Sequence, residues 1–560
     1  MITPAARPDE WLQNAARLAL GALLARLDPE QACRPFFWIN YDPPQATHSY
    51  WDYNDIAGRY VDGLALARIM TGSQEGGEAE AALRRFLWAQ QDPGAGLFYN
   101  PDDEAASEKD KYRLNEQAAA RPRHVDLFCQ RAPMLALTTL LAMGDESARP
   151  RLQAQVRGLA RIAERHGDEL SFPSFRWAPE IRPEWREASG PPAMWQGYRY
   201  ALLTPLARYV ELTGDPEAAD LALGLARWYM RHGDVPADGH FRGNTHSGGI
   251  LPTLAGIARL GLWASDRALV EWVQRAYEWV RLGTPDFGFI VDGFGLDGFF
   301  STTCETCSLA DLIHLAVVLS DAGVGDYWDD VARYARNQLL ENQYRDAEAI
   351  RRLLPGISDS VLAMLIGGFE CAAYPNSILT WQGAEGCCIG GGLRALYLAW
   401  RANVSETEAE TRVNLGFSRS TPHADVVGHE PWAGRIEVRV RTPRAVLIRL
   451  PEGVPVAAAT ALVDGAPVSA AWQGRYARFA DLRPGQTAAL CYPLPEGTRR
   501  YEIAGRVYEA AWRGNTLLEI QPAGERHRTY DRRRLLAGPD PAALPPAEAV
   551  PYAPPAIALW

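Results

Sequence analysis

From the start of the chain to about residue 402, apolar residues recur three and four apart in one segment after another. About a dozen stretches carry the pattern: 9–27, 56–70, 78–89, 125–143, 149–165, 195–212, 216–231, 249–262, 267–282, 305–322, 325–342 and 386–401. Several are joined by turns as short as Thr213-Gly214-Asp215, which leave no room for anything but helical hairpins. Helices paired in this way close into a double ring or extend into a solenoid. A solenoid carries a fixed-period repeat, and none is visible here. The expectation is therefore a mainly α fold, an (α/α)6 barrel over residues 1–404.

Near Val404 the period changes from helical to alternating. Arg435-Ile436-Glu437-Val438-Arg439-Val440-Arg441 alternates strictly, and 445–450 follows after Thr442-Pro443-Arg444. Further short strands are expected at 459–463, 475–479, 487–492, 500–503 and 516–520, divided by Gly and Pro. These define a C-terminal β-sandwich domain over 405–530. Seven prolines between Gly538 and Pro555 mark 531–560 as an extended tail.

The composition, 47% hydrophobic and 22% charged, is that of a soluble globular protein. A net charge of −11 argues against nucleic acid or an anionic membrane as partner. No stretch has the length and apolarity of a membrane span, and residues 1–27 lack the build of a secretory signal. A cytoplasmic location with reduced cysteines is the expectation. The 18 Trp and 22 Tyr fit either a sugar-binding protein, which needs flat apolar faces with polar edges, or a large helical core filled with aromatics. A homodimer is compatible with the sequence, which holds nothing that fixes the oligomeric state.

Chemistry concentrates in two segments. Glu305 and Cys307 are two apart, so one turn of backbone can aim both at a single point. Cys387 and Cys388 can bring two more sulfurs there. One carboxylate and three thiolates suit a tetrahedral Zn2+ site, although paired Cys-x-x-Cys hooks are absent. Five of the eight cysteines, counting Cys304 and Cys371, fall in or near these segments. The alternative is that they are small buried hydrophobes. Polar and aromatic residues also gather before helices: 48–55, Arg121 to Asp126 with His124, 172–190, and Asn244-Thr245-His246-Ser247. Such residues suit a pocket rim or simply cap helices; capping is the better reading for Asp55 and Ser247.

Glu305-Thr306-Cys307, Cys387-Cys388, the helical barrel and the trailing sandwich together resemble the β-L-arabinofuranosidases of glycoside hydrolase family 127. His124-Val125-Asp126-Leu127-Phe128, Thr213-Gly214-Asp215, Asn244-Thr245-His246 and Ala511-Trp512-Arg513-Gly514-Asn515 are similar too, so the resemblance runs from about residue 50 to 525. It implies a retaining glycosidase with zinc held by Glu305, Cys307, Cys387 and Cys388, and with Cys387 as nucleophile. The chain departs from the family where a Glu should serve as acid/base. The run 289–297 contains no Glu, and Asp292, thirteen residues before Glu305, is the better substitute, ahead of Asp297. Asp292 could also do no more than turn the chain with Gly293. Arg199 stands where relatives often carry His, Glu385 where a further Cys can occur, and Ile389-Gly390-Gly391-Gly392 replaces a proline–asparagine continuation. His124, Trp195, Arg199 and His246 are the sugar-contacting candidates.

The expected function is zinc-dependent hydrolysis of a terminal furanoside or related sugar, with a small carbohydrate as the partner. Two rival readings are a non-catalytic sugar-binding barrel with structural zinc, and a hydrolase or lyase of uronic-acid sugars that works through carboxylates alone.

Overall fold

A computed structural model of the chain describes residues 11–100, 125–173, 176–177, 197–241, 245–294, 301–533 and 536. Fourteen α-helices lie among them: α1 (Trp11–Ala25), α2 (Asp55–Thr71), α3 (Gly77–Trp88), α4 (Arg131–Ala142), α5 (Ala148–Ile162), α6 (Leu203–Thr213), α7 (Pro216–His232), α8 (Ser247–Ala264), α9 (Arg267–Gly283), α10 (Thr306–Asp321), α11 (Trp328–Tyr334), α12 (Ala347–Leu353), α13 (Asp359–Leu365) and α14 (Gly386–Asn403). No helix among the described residues is long and apolar enough to cross a membrane.

Helices α2, α4, α6, α8, α10 and α14 pack each against the next, and α14 returns to α2, which closes an inner ring of six. Outside it run α1, α3, α5, α7 and α9, and α11, which continues as a π-helical turn over Ala335–Leu339. The expected (α/α)6 barrel is the fold observed. Burial follows the same division. An outer helix such as α9 buries one stripe, Leu269, Val270, Trp272, Val273, Ala276, Tyr277 and Val280, and turns its other residues towards solvent. Inner helices are buried on all sides; in α8 the run from Ser247 to Gly261 has no exposed residue.

Local chemistry sets the helix ends. Gly214 takes the left-handed conformation (φ 64°) that closes α6, and Asp215 then accepts from the backbone N–H groups of Glu217 and Ala218 to open α7. Helix α4 starts at Arg131 rather than near 125, because Asp126 bonds the N–H of Phe128 at 3.0 Å and holds a turn first. Helices α12 and α13, seven residues each, are too short for their period to register in the sequence.

The C-terminal region contains the expected sandwich. A five-stranded sheet and a six-stranded sheet enclose Val413, Val426, Ile436, Val438, Val446, Ile448 and Leu490. The three-stranded sheet that follows, Glu496–Ile503, Arg506–Arg513 and Thr516–Gln521, does not share that core. Its Ile503, Tyr508, Trp512, Leu517 and Ile520 join the helical core instead. Asn337 in the π-helical turn fixes it there, accepting from Leu517 N–H at 2.9 Å and donating to the Asn515 carbonyl at 3.0 Å.

A small sheet lies between distant parts of the helical region. β1 (Trp38–Tyr41) is flanked by β2 (Pro44–Thr47) on one side and β3 (Gly383–Glu385) on the other. β3 leads directly into α14, and Gly386 N–H donates to the Phe37 carbonyl at 2.7 Å.

Candidate functional site

Three consecutive inner helices begin at one place. His246, Glu305 and Glu385 each occupy the residue before the first turn, of α8, α10 and α14 respectively. Cys307 lies in the first turn of α10, and Cys387 and Cys388 in that of α14. Helix N-termini present unpaired N–H groups and partial positive charge, which favour carboxylates and thiolates over neutral groups.

The sulfurs meet. Cys387 and Cys388 Sγ are 3.8 Å apart, and Cys307 and Cys388 Sγ also 3.8 Å. Glu305 Oε1 is 3.7 Å from both Cys387 and Cys388 Sγ, and all four ligand atoms lie within 4.8 Å of one another. Zinc–sulfur bonds of about 2.3 Å to the corners of a tetrahedron put sulfurs about 3.8 Å apart; a zinc–oxygen bond of about 2.0–2.2 Å puts the oxygen about 3.5–3.7 Å from them. The donors therefore suit a zinc tetrahedron in type and number, and these four distances fit its edges. Hydrogen bonds from Cys387 and Cys388 pull the Cys307 thiol down to about 6, while that contact with Cys307 pushes Cys387 up, and burial raises Cys388.

The other oxygen of Glu305 faces a second cluster. His246 Nδ1 accepts from Gly248 N–H at 3.1 Å, so the ring hydrogen sits on Nε2. His246 Nε2 lies 2.9 Å from Asp292 Oδ1 and 3.2 Å from Glu305 Oε2. These three side chains also lie within metal-binding distance of one another. Burial and the Gly248 N–H bond to Nδ1 favour the neutral imidazole, while the Asp292 and Glu305 carboxylates pull the other way and raise its pKa. Burial raises Asp292 to about 6 against the pull of His246. The backbone holds the pair together: Gly293 pairs with His246, Ser247 N–H donates to the Asp292 carbonyl at 2.9 Å, and Asp292 N–H donates to the Thr303 carbonyl at 2.9 Å. Tyr198 stacks on the His246 ring, with centroids 5.3 Å apart.

Two side chains absent from the sequence-derived set border the sulfurs. Glu385 Oε2 is 3.3 Å from Cys387 Sγ. Arg59, buried in α2, brings Nη1 to 3.7 Å from Cys307 Sγ. Its signal in the sequence was an arginine four residues after Asp55, within a helical run that is largely apolar.

The remaining candidates divide. His124, Trp195 and Asp297 lie outside the described residues. Arg199 interacts with Asp234, at the end of α7, rather than with the cysteine cluster. Cys304 and Cys371 stand apart from the quartet: Cys304 sits in a β-bridge with Ala373, and Cys371 Sγ is 3.3 Å from the Gly383 carbonyl. Burial pushes both thiols up, so these two are the buried hydrophobes of the alternative reading. Ser247 does not cap α8; the His246 ring does, and Ser247 Oγ donates to the Val291 carbonyl at 2.6 Å. Asp55 does not cap α2 either but pairs with Arg59, at 2.9 Å.

No protein-family model and no curated protein matches the chain. Solved structures do. A family 127 β-L-arabinofuranosidase from Geobacillus stearothermophilus T6 superposes with a TM-score of 0.57 at 14% identity, covering 92% of this chain and 81% of that one. A second family 127 β-arabinofuranosidase gives 0.57 at 13%, with the same coverages. A further glycoside hydrolase gives 0.56 at 12%, covering 88% and 84%. At these identities the likeness is one of fold, and the chain has the barrel-and-sandwich fold of the family 127 glycoside hydrolases.

Proposed function

We propose that the chain is a zinc-dependent retaining glycoside hydrolase that uses Cys387 as nucleophile on a terminal furanoside of the β-L-arabinofuranoside type or a related sugar. The observation that carries the reading is the Glu305, Cys307, Cys387 and Cys388 quartet, whose donors lie within 4.8 Å of one another at the convergence of three inner helices. A fold shared with family 127 enzymes supports it.

Zinc, when bound, keeps the sulfurs as thiolates at neutral pH, where a free thiol is mostly protonated. Cys387 Sγ then bonds to the anomeric carbon as the glycosidic C–O bond breaks, and Asp292 gives its proton to the departing oxygen. In the second half Asp292 takes a proton from water, the water oxygen bonds to the anomeric carbon, and the C–S bond breaks. Two inversions give net retention. Burial supports the acid role, since it lifts Asp292 to about 6 and lets it hold a proton near neutrality. His246 orients it through the 2.9 Å contact.

The test is turnover of a panel of furanosides by the wild type and by Cys387→Ser, with metal analysis of both. The wild type is expected to carry about one zinc per chain and to cleave a furanoside. The variant should keep its fold and lose turnover. Near-normal activity of Cys387→Ser would end the nucleophile assignment, and a metal-free, active wild type would end the zinc assignment.

A further inference from the structure

The register of the small sheet determines what lies beside the nucleophile. In an antiparallel pair, residues directly opposite one another project from the same face. Glu385 on β3 is opposite Trp38 on β1, and Trp38 is opposite Thr47 on β2. The three form one row. Glu385 is its inner end, with a carboxylate oxygen 3.3 Å from Cys387 Sγ. Away from the sulfur the row opens to solvent: Trp38, Asn40 and Thr47 are partly exposed, whereas Ile39 and Ala384, on the opposite face, are fully buried. Trp381, just before β3 and itself partly exposed, packs against Trp38 with centroids 5.5 Å apart and planes tilted by 60°. Asn40 donates to Thr47 Oγ1 at 3.2 Å, which sets an amide and a hydroxyl beside the indoles.

We infer that this row, with Trp381, is a carbohydrate subsite for a second ring, the one joined to the sugar that reacts at Cys387. This rests on the glycosidase reading above. Strands are about 4.8 Å apart, so Trp38 lies one spacing, and Thr47 two, beyond the strand that delivers Glu385 to the sulfur. That is too far for the ring that bonds to sulfur and suits its neighbour. Half-buried indoles offer a sugar ring an apolar face, and the adjacent Asn40 and Thr47 offer hydrogen bonds to hydroxyls at its edge. The substrate class that follows is a disaccharide or longer chain, not a glycoside of a simple alcohol.

The experiment uses the full chain as wild type, Trp38→Ala, Trp38→Phe and Trp381→Ala. For one glycone, kcat/KM is measured on the disaccharide and on the methyl glycoside. The ratio of the two is expected to fall about tenfold in each Ala variant, through KM of the disaccharide, and to recover in Trp38→Phe. An unchanged ratio in both Ala variants overturns the subsite. A second readout needs no turnover: tryptophan fluorescence of Cys387→Ser is titrated with an arabinofuranosyl disaccharide and with L-arabinose. Saturable quenching by the disaccharide that disappears with Trp38→Ala supports the subsite even if the wild type cleaves no glycoside, an outcome that would sink the hydrolase reading alone. Quenching that Trp38→Ala leaves intact, or no quenching by either sugar, overturns it.

Discussion

Arg59 Nη1 stands 3.7 Å from Cys307 Sγ, and Asp55, one helical turn earlier, holds the same guanidinium at 2.9 Å. A carboxylate and three thiolates exceed the charge of one divalent ion, and a buried cation beside them offsets some of that excess.

Removing this cation should loosen the metal. Arg59→Met is expected to weaken zinc retention about tenfold or more in competition with a chelator, the usual range for a group that supports a ligand. Arg59→Lys, which keeps the charge, should recover some of it. Equal retention in all three proteins would show that Arg59 serves only to pack α2.

Deeper in the barrel, Arg131 of α4 meets Asp311 of α10 at 2.9 Å, with both side chains buried. Asp311→Ala leaves a buried guanidinium without its carboxylate and should cost about 3–5 kcal/mol in denaturant unfolding. The double variant Arg131→Met/Asp311→Leu replaces the pair by apolar groups and should lose much less. A double variant as unstable as the single one would mean that the cost comes from packing and not from the stranded charge.

How far the sequence led depends on what fixed each feature. The helices were legible because their period is written in every turn, and the Glu305, Cys307, Cys387 and Cys388 quartet because three of its donors sit in the first turns of two such helices and the fourth just before one. Spacing could not tell that Cys304 and Cys371 face away from that point, since the β-bridge to Ala373 that turns Cys304 aside is set by tertiary pairing. The sheet that places Trp38 beside Glu385 was invisible for the same reason: its strands have three or four residues and come from opposite ends of the helical region. The strands expected at 500–503 and 516–520 gave no sign of the strand Arg506–Arg513 between them, nor that their buried face would be covered by helices.

Asp234 carries a pH-dependent cost. Burial lifts its carboxyl to about 7, against the pull of Gly197 N–H, 3.1 Å from Oδ2, and of the Arg199 charge. Between the ordinary aspartate value of about 4 and about 7, the folded protein keeps a proton that the unfolded chain has released, so stability falls as pH rises through that window. Asp234→Asn keeps an acceptor for Gly197 and cannot titrate. The variant should match the wild type at pH near 4 and exceed it above pH 7 by about 1–2 kcal/mol, allowing for solvent screening. Unfolding midpoints at both pH values check this, and a gap that does not change with pH would remove Asp234 from the account.

Two glycines in neighbouring helices should respond in opposite directions to the same substitution. Gly58 lies in α2 where it crosses α4, and a Cβ there would fall 2.4 Å from the Ala132 carbonyl carbon. The obstacle is backbone, which cannot swing aside, so Gly58→Ala must force α2 away from α4 in the inner ring and should cost about 1–3 kcal/mol. Gly21 lies on the exposed side of α1, with nothing within 4 Å of its added Cβ. There the helix gains by losing a glycine, and Gly21→Ala should stabilise by about 0.5–1 kcal/mol. Thermal and denaturant unfolding of the two variants measure the contrast directly. If both stabilise, the inner ring has slack at the α2–α4 crossing, and close approach of backbones is not what sets the width of the barrel.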